Sequence, residues 1–157
     1  MESIGGKKPS AMFTQWPAYY LNPKEVYEKG YHHLKQMFQK ELQEHFTGEE
    51  GTVFYNGLNR MIAQCQPDLT KLRYFQINMP TKHVVDLIME ECENLGIRKE
   101  QIYSPISKMG YAGPPAAFMA LDRIIKEESL APGDLILSFV TEVSKFMQAG
   151  YAMRYYA

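Results

Sequence analysis

The part of the chain after residue 71 alternates short apolar runs with helical stripes, and this alternation restricts the possible folds more than any other feature. Four segments have the length and the branched or aromatic content of strands, namely LRYFQIN (72–78), QIYSPIS (101–107), LILSFV (135–140) and 148–156. Apolar residues at helical spacing mark helices over 84–95, stopping at Gly96, and over 116–125. The order strand, helix, strand, helix, strand, strand predicts an α/β fold, a mostly parallel sheet with an antiparallel edge, covered by helices.

The first part of the chain carries weaker signals, which divide it into an arm and the start of a domain. Residues 1–21 contain glycines, prolines and aromatic side chains without a period, which predicts an irregular arm. The Asn-Pro pair at 22–23 is typical of a helix start, and an apolar stripe continues from it to about Phe46. A shorter helix is predicted over 54–65. The predicted organisation is therefore the arm and one domain over 22–157.

Charge, cysteine content and hydropathy exclude several classes of protein. The formal net charge is −1 and the basic residues are interspersed with glutamates, so no basic surface for nucleic acid is expected. No apolar run approaches the about 18 residues of a membrane span. Two cysteines are too few for a disulfide framework, which favours a reducing, cytoplasmic location. The His32-His33 pair lacks further ligands at a compatible spacing, so neither a metal nor a cofactor is expected.

Short motifs along most of the chain carry a resemblance to a known family. The motifs are IGGKKP (4–9), LNPKEVY (21–27), PGDLILSF (132–139) and AMRY (152–155). Their order and spacing resemble the C-terminal half of 3-oxoacyl-ACP synthase III, a condensing enzyme of the thiolase-like superfamily. Enzymes of this family consist of two similar halves, so the resemblance implies a thiolase-like half-domain. The nucleophilic cysteine of the family belongs to the N-terminal half, which this sequence does not include.

The same resemblance places two family site residues on this sequence. The family motif H-Q-A-N-x-R-I-I falls on 78–85, so Asn78 stands where the family has its histidine. The family loop G-N-T-G/S falls on 110–113, so Tyr111 stands where the family has its asparagine. In the family these two side chains stabilise an oxyanion or enolate during acyl transfer. An amide and a phenol still donate hydrogen bonds, which makes Asn78 and Tyr111 the candidate catalytic residues, but neither transfers protons near neutral pH as histidine does.

Structural explanations of these residues stay open beside the catalytic ones. Asn78 also fits a turn residue that closes a strand. His83, which a register shift would bring to the position of the lost histidine, also fits a solvated first turn of a helix. Cys92 lies in an apolar stripe, which favours a core position over a nucleophile. The glycine-rich turn of the family falls on 140–145, where this sequence has no glycine and its side chains would crowd the site.

Two functions of different class follow from these observations. In the first, the chain is a subunit of a synthase III-like acyltransferase or condensing assembly of fatty acid or polyketide biosynthesis. It acts on thioesters of coenzyme A or acyl carrier protein, with the cysteine on a partner chain that supplies the N-terminal half. In the second, it is a catalytically degenerate binding or scaffolding subunit that stabilises an active synthase. A lone half exposes a large apolar face, which either a partner subunit or self-association should cover, and a hetero-oligomer is the expected state.

Overall fold

The computed structural model describes residues 2–3, 12–14, 23–29, 34–36, 51–79, 82–113, 115–141 and 147–156. Its strands are β1 (Glu2–Ser3), β2 (Met12–Thr14), β3 (Leu34–Gln36), β4 (Leu72–Ile77), β5 (Ile102–Tyr103), β6 (Leu135–Thr141) and β7 (Met147–Arg154). Its α-helices are α1 (Pro23–Glu28), α2 (Val53–Cys65), α3 (Lys82–Asn94), α4 (Ile106–Met109) and α5 (Pro115–Glu127). Single 3-10 turns at Leu69–Lys71 and Lys99–Gln101 lead into β4 and β5.

Five of the strands form one mixed sheet in the order β1-β7-β6-β4-β5. β4 is parallel to both of its neighbours, β5 and β6. β7 returns antiparallel to β6, from Leu135 opposite Arg154 to Thr141 opposite Gln148. β1 continues the sheet antiparallel to β7. The predicted α/β fold, with parallel strands, an antiparallel edge and covering helices, is confirmed.

One side of this sheet carries the main hydrophobic core, where α2 and α3 pack. Its buried residues include Phe75, Ile77, Leu137 and Phe139 from the sheet, Phe54, Leu58 and Met61 from α2, and Val85, Ile88 and Cys92 from α3. The rings of Phe54 and Phe139 meet edge to face with their centroids 5.4 Å apart, a favourable arrangement for an aromatic pair. Both helices are amphipathic and bury the stripe that their helical period predicts.

The other side of the sheet is covered by α5. Tyr74 and Gln76 alternate with the core residues of β4, so their side chains face away from the main core. The Tyr74 hydroxyl donates a hydrogen bond to Glu128, the residue after α5, at 3.3 Å. The buried residues of α5 are Ala117, Ala120 and Ile124. Helices therefore lie on both sides of the sheet, α2 and α3 on one side and α5 on the other.

The ends of α2 and α3 follow from local capping chemistry. The Thr52 side chain accepts a hydrogen bond from the backbone N–H of Tyr55 at 3.3 Å and caps the start of α2. α2 ends at Cys65 and is followed by Gln66, which has a φ of 43° and precedes Pro67, a residue that cannot continue a helix. Gly96 follows α3 with a φ of +81°, the left-handed conformation predicted for this stop.

The single helix predicted from residue 22 to about Phe46 is wrong at Leu34–Gln36. α1 ends at Glu28, and Leu34–Gln36 forms β3, which pairs antiparallel with β2. Tyr27 of the predicted apolar stripe is 76% exposed, and pairing with β2 overrides helical propensity at Leu34–Gln36. Residues 30–33 and 37–50 lie outside the described part of the chain. The arm over 1–21 is predicted to be irregular, but the structure has strands β1 and β2 within it. The boundary between the arm and the domain after residue 21 stays a prediction.

The strand predicted over 101–107 is also shorter than expected. Only Ile102–Tyr103 pairs with β4, and α4 begins at Ile106. Pro105 has no N–H group to donate to a ladder, which is why pairing stops before it. Gln101 belongs to the preceding 3-10 turn, and its side-chain amide donates to the backbone oxygen of Leu72. β5 is therefore a short strand at the edge of the described sheet.

Gly150 of β7 lies where α2 approaches the sheet closely. A Cβ atom there would meet the sulfur of Met61 and, at 2.5 Å, the backbone oxygen of Ser138. We expect Gly150→Ala to lower the free energy of unfolding by about 1–3 kcal/mol, because this clash outweighs the roughly 0.5–1 kcal/mol that alanine gains over glycine in a strand. Urea unfolding measures the change. Ala149→Ser, at the exposed neighbouring position, is the control and should stay within about 0.5 kcal/mol of the native value. Equal stability of the two variants would contradict the close approach.

Candidate functional site

The candidate site lies at the carboxyl edge of the parallel strands. Asn78 follows β4, β6 ends at Thr141, and the loop 110–113 lies between α4 and α5. Because β4 and β6 are parallel, their carboxyl ends reach the same edge of the sheet. The Asn78 side chain joins this edge to the loop, since its Nδ2 donates to the backbone oxygen of Gly113 at 2.9 Å. The structure thus brings together the two segments that contain the predicted site residues.

Asn78 is held between the core and this loop. Its side chain is buried, as are Ile77 and Met79 on either side of it. The bond to Gly113 joins residues 35 positions apart, so Asn78 does more than close a local turn. A neutral amide neither gains nor loses a proton near neutral pH. In this structure Asn78 therefore acts as a hydrogen-bond donor that positions the loop before α5.

Tyr111 is more exposed than Asn78. Its side chain is 45% exposed. Gly110 and Gly113 have φ angles of +69° and +66°, a region that glycine adopts without strain, and they turn the chain on both sides of Tyr111. The hydrogen bond to Asn78 is made by the Gly113 backbone rather than by the tyrosine. A catalytic role for Tyr111, like one for Asn78, stays a prediction.

A small cavity lies beside Asn78, between the end of β4 and α4. Its volume is about 10 Å³, and its walls include Met79, Ser104, Ile106 and Met109. A single buried water needs roughly 10–15 Å³. Small-molecule sites occupy about 300–1,000 Å³. Within the described part of the chain, Asn78 therefore has no complete pocket for an acyl chain.

The side chains considered as a proton carrier and a nucleophile, His83 and Cys92, differ in exposure. His83 is exposed in the first turn of α3, in agreement with a solvated position. Cys92 is fully buried. Burial, together with the smaller effect of the nearby Glu91 and Glu93 carboxylates, raises the pKa of the Cys92 thiol to about 12. Cys92 is thus a protonated core thiol, and its predicted core position is confirmed.

A cluster of metal ligands and a membrane-spanning helix are both absent from the described ranges. There, histidine, cysteine, aspartate and glutamate side chains form no group of three or more that could hold a metal ion. None of the helices in those ranges is long and apolar enough to cross a membrane.

Two buried polar contacts of the sheet are not predicted by the apolar pattern of its strands. The Ser138 hydroxyl donates to Gln76 Oε1, and Gln148 Nε2 donates to the backbone oxygen of Val53 at 3.0 Å. Gln76 and Ser138 lie opposite each other in the register of β4 with β6. Gln76 lies between Phe75 and Ile77, and Ser138 lies between Leu137 and Phe139. A polar residue with apolar neighbours on both sides in each strand is the sequence signal that could identify this pair.

Structure comparison finds relatives where sequence comparison does not. No protein-family model matches the chain, and no curated protein matches it. The tetronic acid condensing enzyme AbyA1 matches 96% of this chain with a TM-score of 0.68 and 17% identity. The 3-oxoacyl-(acyl carrier protein) synthase III of Pseudomonas aeruginosa matches 99% with a TM-score of 0.65 and 12% identity. The enzyme of the same name from Aquifex aeolicus matches 94% with a TM-score of 0.55 and 16% identity.

These likenesses concern the fold, because the identities are low. The chain spans 42% of the length of the first structure and 44% of each of the other two. It therefore has the thiolase-like fold of 3-oxoacyl-ACP synthase III over a stretch that corresponds to less than half of such an enzyme. The fold that the sequence motifs predicted is confirmed.

Removing the Asn78 amide should loosen the loop 110–113. We expect Asn78→Ala to lower the free energy of unfolding by about 1–2 kcal/mol, because the oxygen of Gly113 loses its donor. Backbone amides of the loop should also exchange hydrogen faster. Urea unfolding and hydrogen exchange measure the two effects. Asn94→Ala, at an exposed asparagine that ends α3, is the control. If the two variants behave alike, Asn78 does not anchor the loop.

The two free cysteines should differ in reactivity. Cys65 is exposed and Cys92 is buried. At pH 8 we expect iodoacetamide to alkylate Cys65 in the folded protein and to spare Cys92 until unfolding, because the thiolate is the reactive form and a pKa of about 12 keeps Cys92 protonated. Mass spectrometry of the digested protein reports both positions. Fast alkylation of Cys92 in the folded protein would restore it as a candidate nucleophile.

Proposed function

We propose that this chain is one half of a synthase III-like condensing assembly, which transfers or condenses acyl groups carried as thioesters on coenzyme A or acyl carrier protein. The observation that carries the proposal is the structural match, which includes nearly all of this chain but only 42–44% of three condensing enzymes. A partner chain supplies the other half and the nucleophilic cysteine. The assembly is cytoplasmic, where free thiols such as Cys65 and Cys92 stay reduced.

The role of this half at the site is to donate hydrogen bonds. When a thiol attacks a thioester, negative charge develops on the carbonyl oxygen, and preorganised donors lower the barrier. The Nδ2 group of Asn78 carries two hydrogens, and the bond to Gly113 uses one of them. The second hydrogen is available to a substrate oxygen. The exposed hydroxyl of Tyr111, on the loop that Asn78 anchors, is the other donor.

The thiols of this chain are poorly suited to be the nucleophile, which supports a cysteine on the partner. Cys92 lies in the core as a protonated thiol. Cys65 is the last residue of α2, before β4 begins, whereas Asn78 follows the other end of β4. Neither cysteine belongs to the segments that meet at Asn78. A reaction through a thioester-bound enzyme therefore requires a thiol from another chain.

An exposed flank of α5 supports a partner on that side of the sheet. Arg123 of α5 lies beside Tyr103 of β5. Successive residues of an α-helix are about 100° apart, so Phe118 and Ile125 lie on the flank of α5 opposite Arg123. That flank faces β6 and β7. Phe118 is 69% exposed and Ile125 is 46% exposed. The flank of α5 that faces the antiparallel part of the sheet is thus apolar and uncovered.

Two methionines of β7 extend this apolar surface. Met147 is 46% exposed and Met153 is 37% exposed, and they alternate onto one side of β7. Met153 pairs with Ile136, which alternates with the core residue Leu137 and so faces the α5 side. We call these methionines and the exposed flank of α5 the apolar corner. A surface of this kind is typical of an interface, so it supports the docking of a further layer over α5.

The scaffolding function is the second candidate, and two observations favour it. The cavity beside Asn78 has a volume of only about 10 Å³. The site also has an asparagine in place of the family histidine, so it offers no group for proton transfer near neutral pH. A scaffolding subunit would bind its partner through the same apolar corner. The two functions differ in whether the complex reacts with a thioester.

Co-expression with the neighbouring reading frame of the source genome tests both functions. The affinity tag is placed on this chain only, and the purified material is analysed by intact mass. We expect a stoichiometric partner whose cysteine is acylated by an acyl-CoA. Asn78→Ala and Tyr111→Phe should then slow acylation, by up to roughly a hundredfold for a donor to the oxyanion. A complex that is never acylated supports scaffolding, and a chain that purifies without a partner rejects both functions.

Phe118→Asp should weaken the complex, whereas Leu87→Asp should not. Both wild-type side chains are exposed on helices, at 69% and 63%, but they lie on opposite sides of the sheet. We expect a loss of affinity of the order of a hundredfold for Phe118→Asp, because an unpaired carboxylate would be buried in the apolar corner. Sedimentation of the complex gives the affinity, and urea unfolding checks that both variants fold. Equal affinities would exclude the apolar corner as the docking surface.

A further inference from the structure

A groove distinct from the small cavity at Asn78 runs between α3 and β5. Its volume is about 370 Å³. This lies within the roughly 300–1,000 Å³ of small-molecule sites. Four apolar side chains line it, Val85 and Met89 from α3, Ile102 from β5 and Ile106 from α4. Val85 and Ile102 belong to or pack against the main core, so the groove lies on the side of the sheet opposite the apolar corner.

The groove follows from the position of β5 at the edge of the sheet. α3 packs on the core through Val85, Ile88 and Cys92. Successive residues of an α-helix are about 100° apart, so Lys82 and Met89 lie on one flank of this buried stripe. That flank extends over β5. In the described part of the chain β5 pairs only with β4, so no strand fills the space beneath the flank.

The two ends of the groove differ in charge. Because α3 connects the parallel strands β4 and β5, it runs antiparallel to them, which puts Lys82 at one end and Met89 near Lys99 at the other. The two ends are about 10 Å apart along the helix. Lys82 Nζ lies 2.7 Å from Asp86 Oδ2, which balances its charge. Arg98 and Glu100, the sequence neighbours of Lys99, form an ion pair with each other. They therefore leave the charge of Lys99 unbalanced, and the excess positive charge lies at the Lys99 end of the groove.

An apolar floor with one cation at the end fits an aliphatic carboxylate. Burying one methylene group strengthens binding by about fourfold. An exposed ion pair strengthens binding by roughly fivefold at most. The chain of such a ligand therefore determines most of the affinity, and the lysine determines its orientation.

We propose that this groove binds a medium-chain aliphatic carboxylate, with the carboxylate at Lys99 and the chain along the apolar floor toward α4. The site goes beyond the proposed condensing function, because it requires neither a partner nor a thioester. Ser104 and Ile106 line both the groove and the cavity beside Asn78. A ligand in the groove is thus in packing contact with the residues that support the candidate site.

Calorimetric titration of the full chain with decanoate at pH 7 tests the role of the charge. We expect saturable binding with one ligand per chain, and binding of decanol that is weaker by about threefold, the effect of one exposed ion pair. Lys99→Gln should abolish this difference. Lys71→Gln, at an exposed lysine before β4, should preserve it. Absence of saturable decanoate binding by the native chain, or a difference that persists in Lys99→Gln, overturns the proposal.

A second pair of variants tests the position of the aliphatic chain. Met89→Trp fills the groove without adding charge, and we expect it to weaken decanoate binding by at least the order of tenfold. Leu87→Trp, on the opposite flank of the same helix, should bind as the native chain does, and unfolding curves verify that both variants fold. Equal binding by the two variants overturns the proposal. Neither outcome affects the condensing assembly, because the titration needs no partner and the apolar corner lies on the other side of the sheet.

Discussion

The parallel pairing of β4 with β6 is the constraint on which the rest of the structure depends. It sets Ile77 opposite Phe139, so that the apolar residues of both strands face α2 and α3. A shift of one residue would turn these side chains away and bring polar ones into the core. The hydrogen bond from Ser138 to Gln76 favours the same register from the other side of the sheet. The register also brings the carboxyl ends of both strands to one edge, where the candidate site lies.

This pairing also makes the two sides of the sheet unequal. On the core side, α2 and α3 cover the strands and leave a groove at the edge strand β5. On the other side, α5 lies over β4 and leaves the apolar corner exposed toward β7. In the two proposals, the groove binds a small ligand, and a further protein layer removes the apolar corner from water. The proposed assembly would thus give the half-length match to condensing enzymes and the exposed apolar corner one physical explanation.

At the candidate site, Asn78 holds a fixed hydrogen bond but cannot transfer a proton. A histidine at position 78 would change its charge near neutral pH. The amide of Asn78 stays neutral, and it commits one N–H to the oxygen of Gly113. This contact holds the loop that carries Tyr111, but it provides no base. With Cys92 protonated in the core, the proposed reaction depends on a nucleophile that another chain supplies.

The sequence by itself determined the elements whose signals are local: the helix that stops at Gly96, the strand after the Pro132-Gly133 turn and the hairpin that follows it. Their apolar periods and turn residues lie within a few positions of each other. It also predicted that asparagine and tyrosine occupy the two family site positions. Only the tertiary structure decided that Leu34–Gln36 is a strand, because its partner β2 lies in a distant part of the chain. It alone decided that Asn78 anchors the loop at Gly113, since this bond spans 35 residues and depends on packing that no local pattern contains.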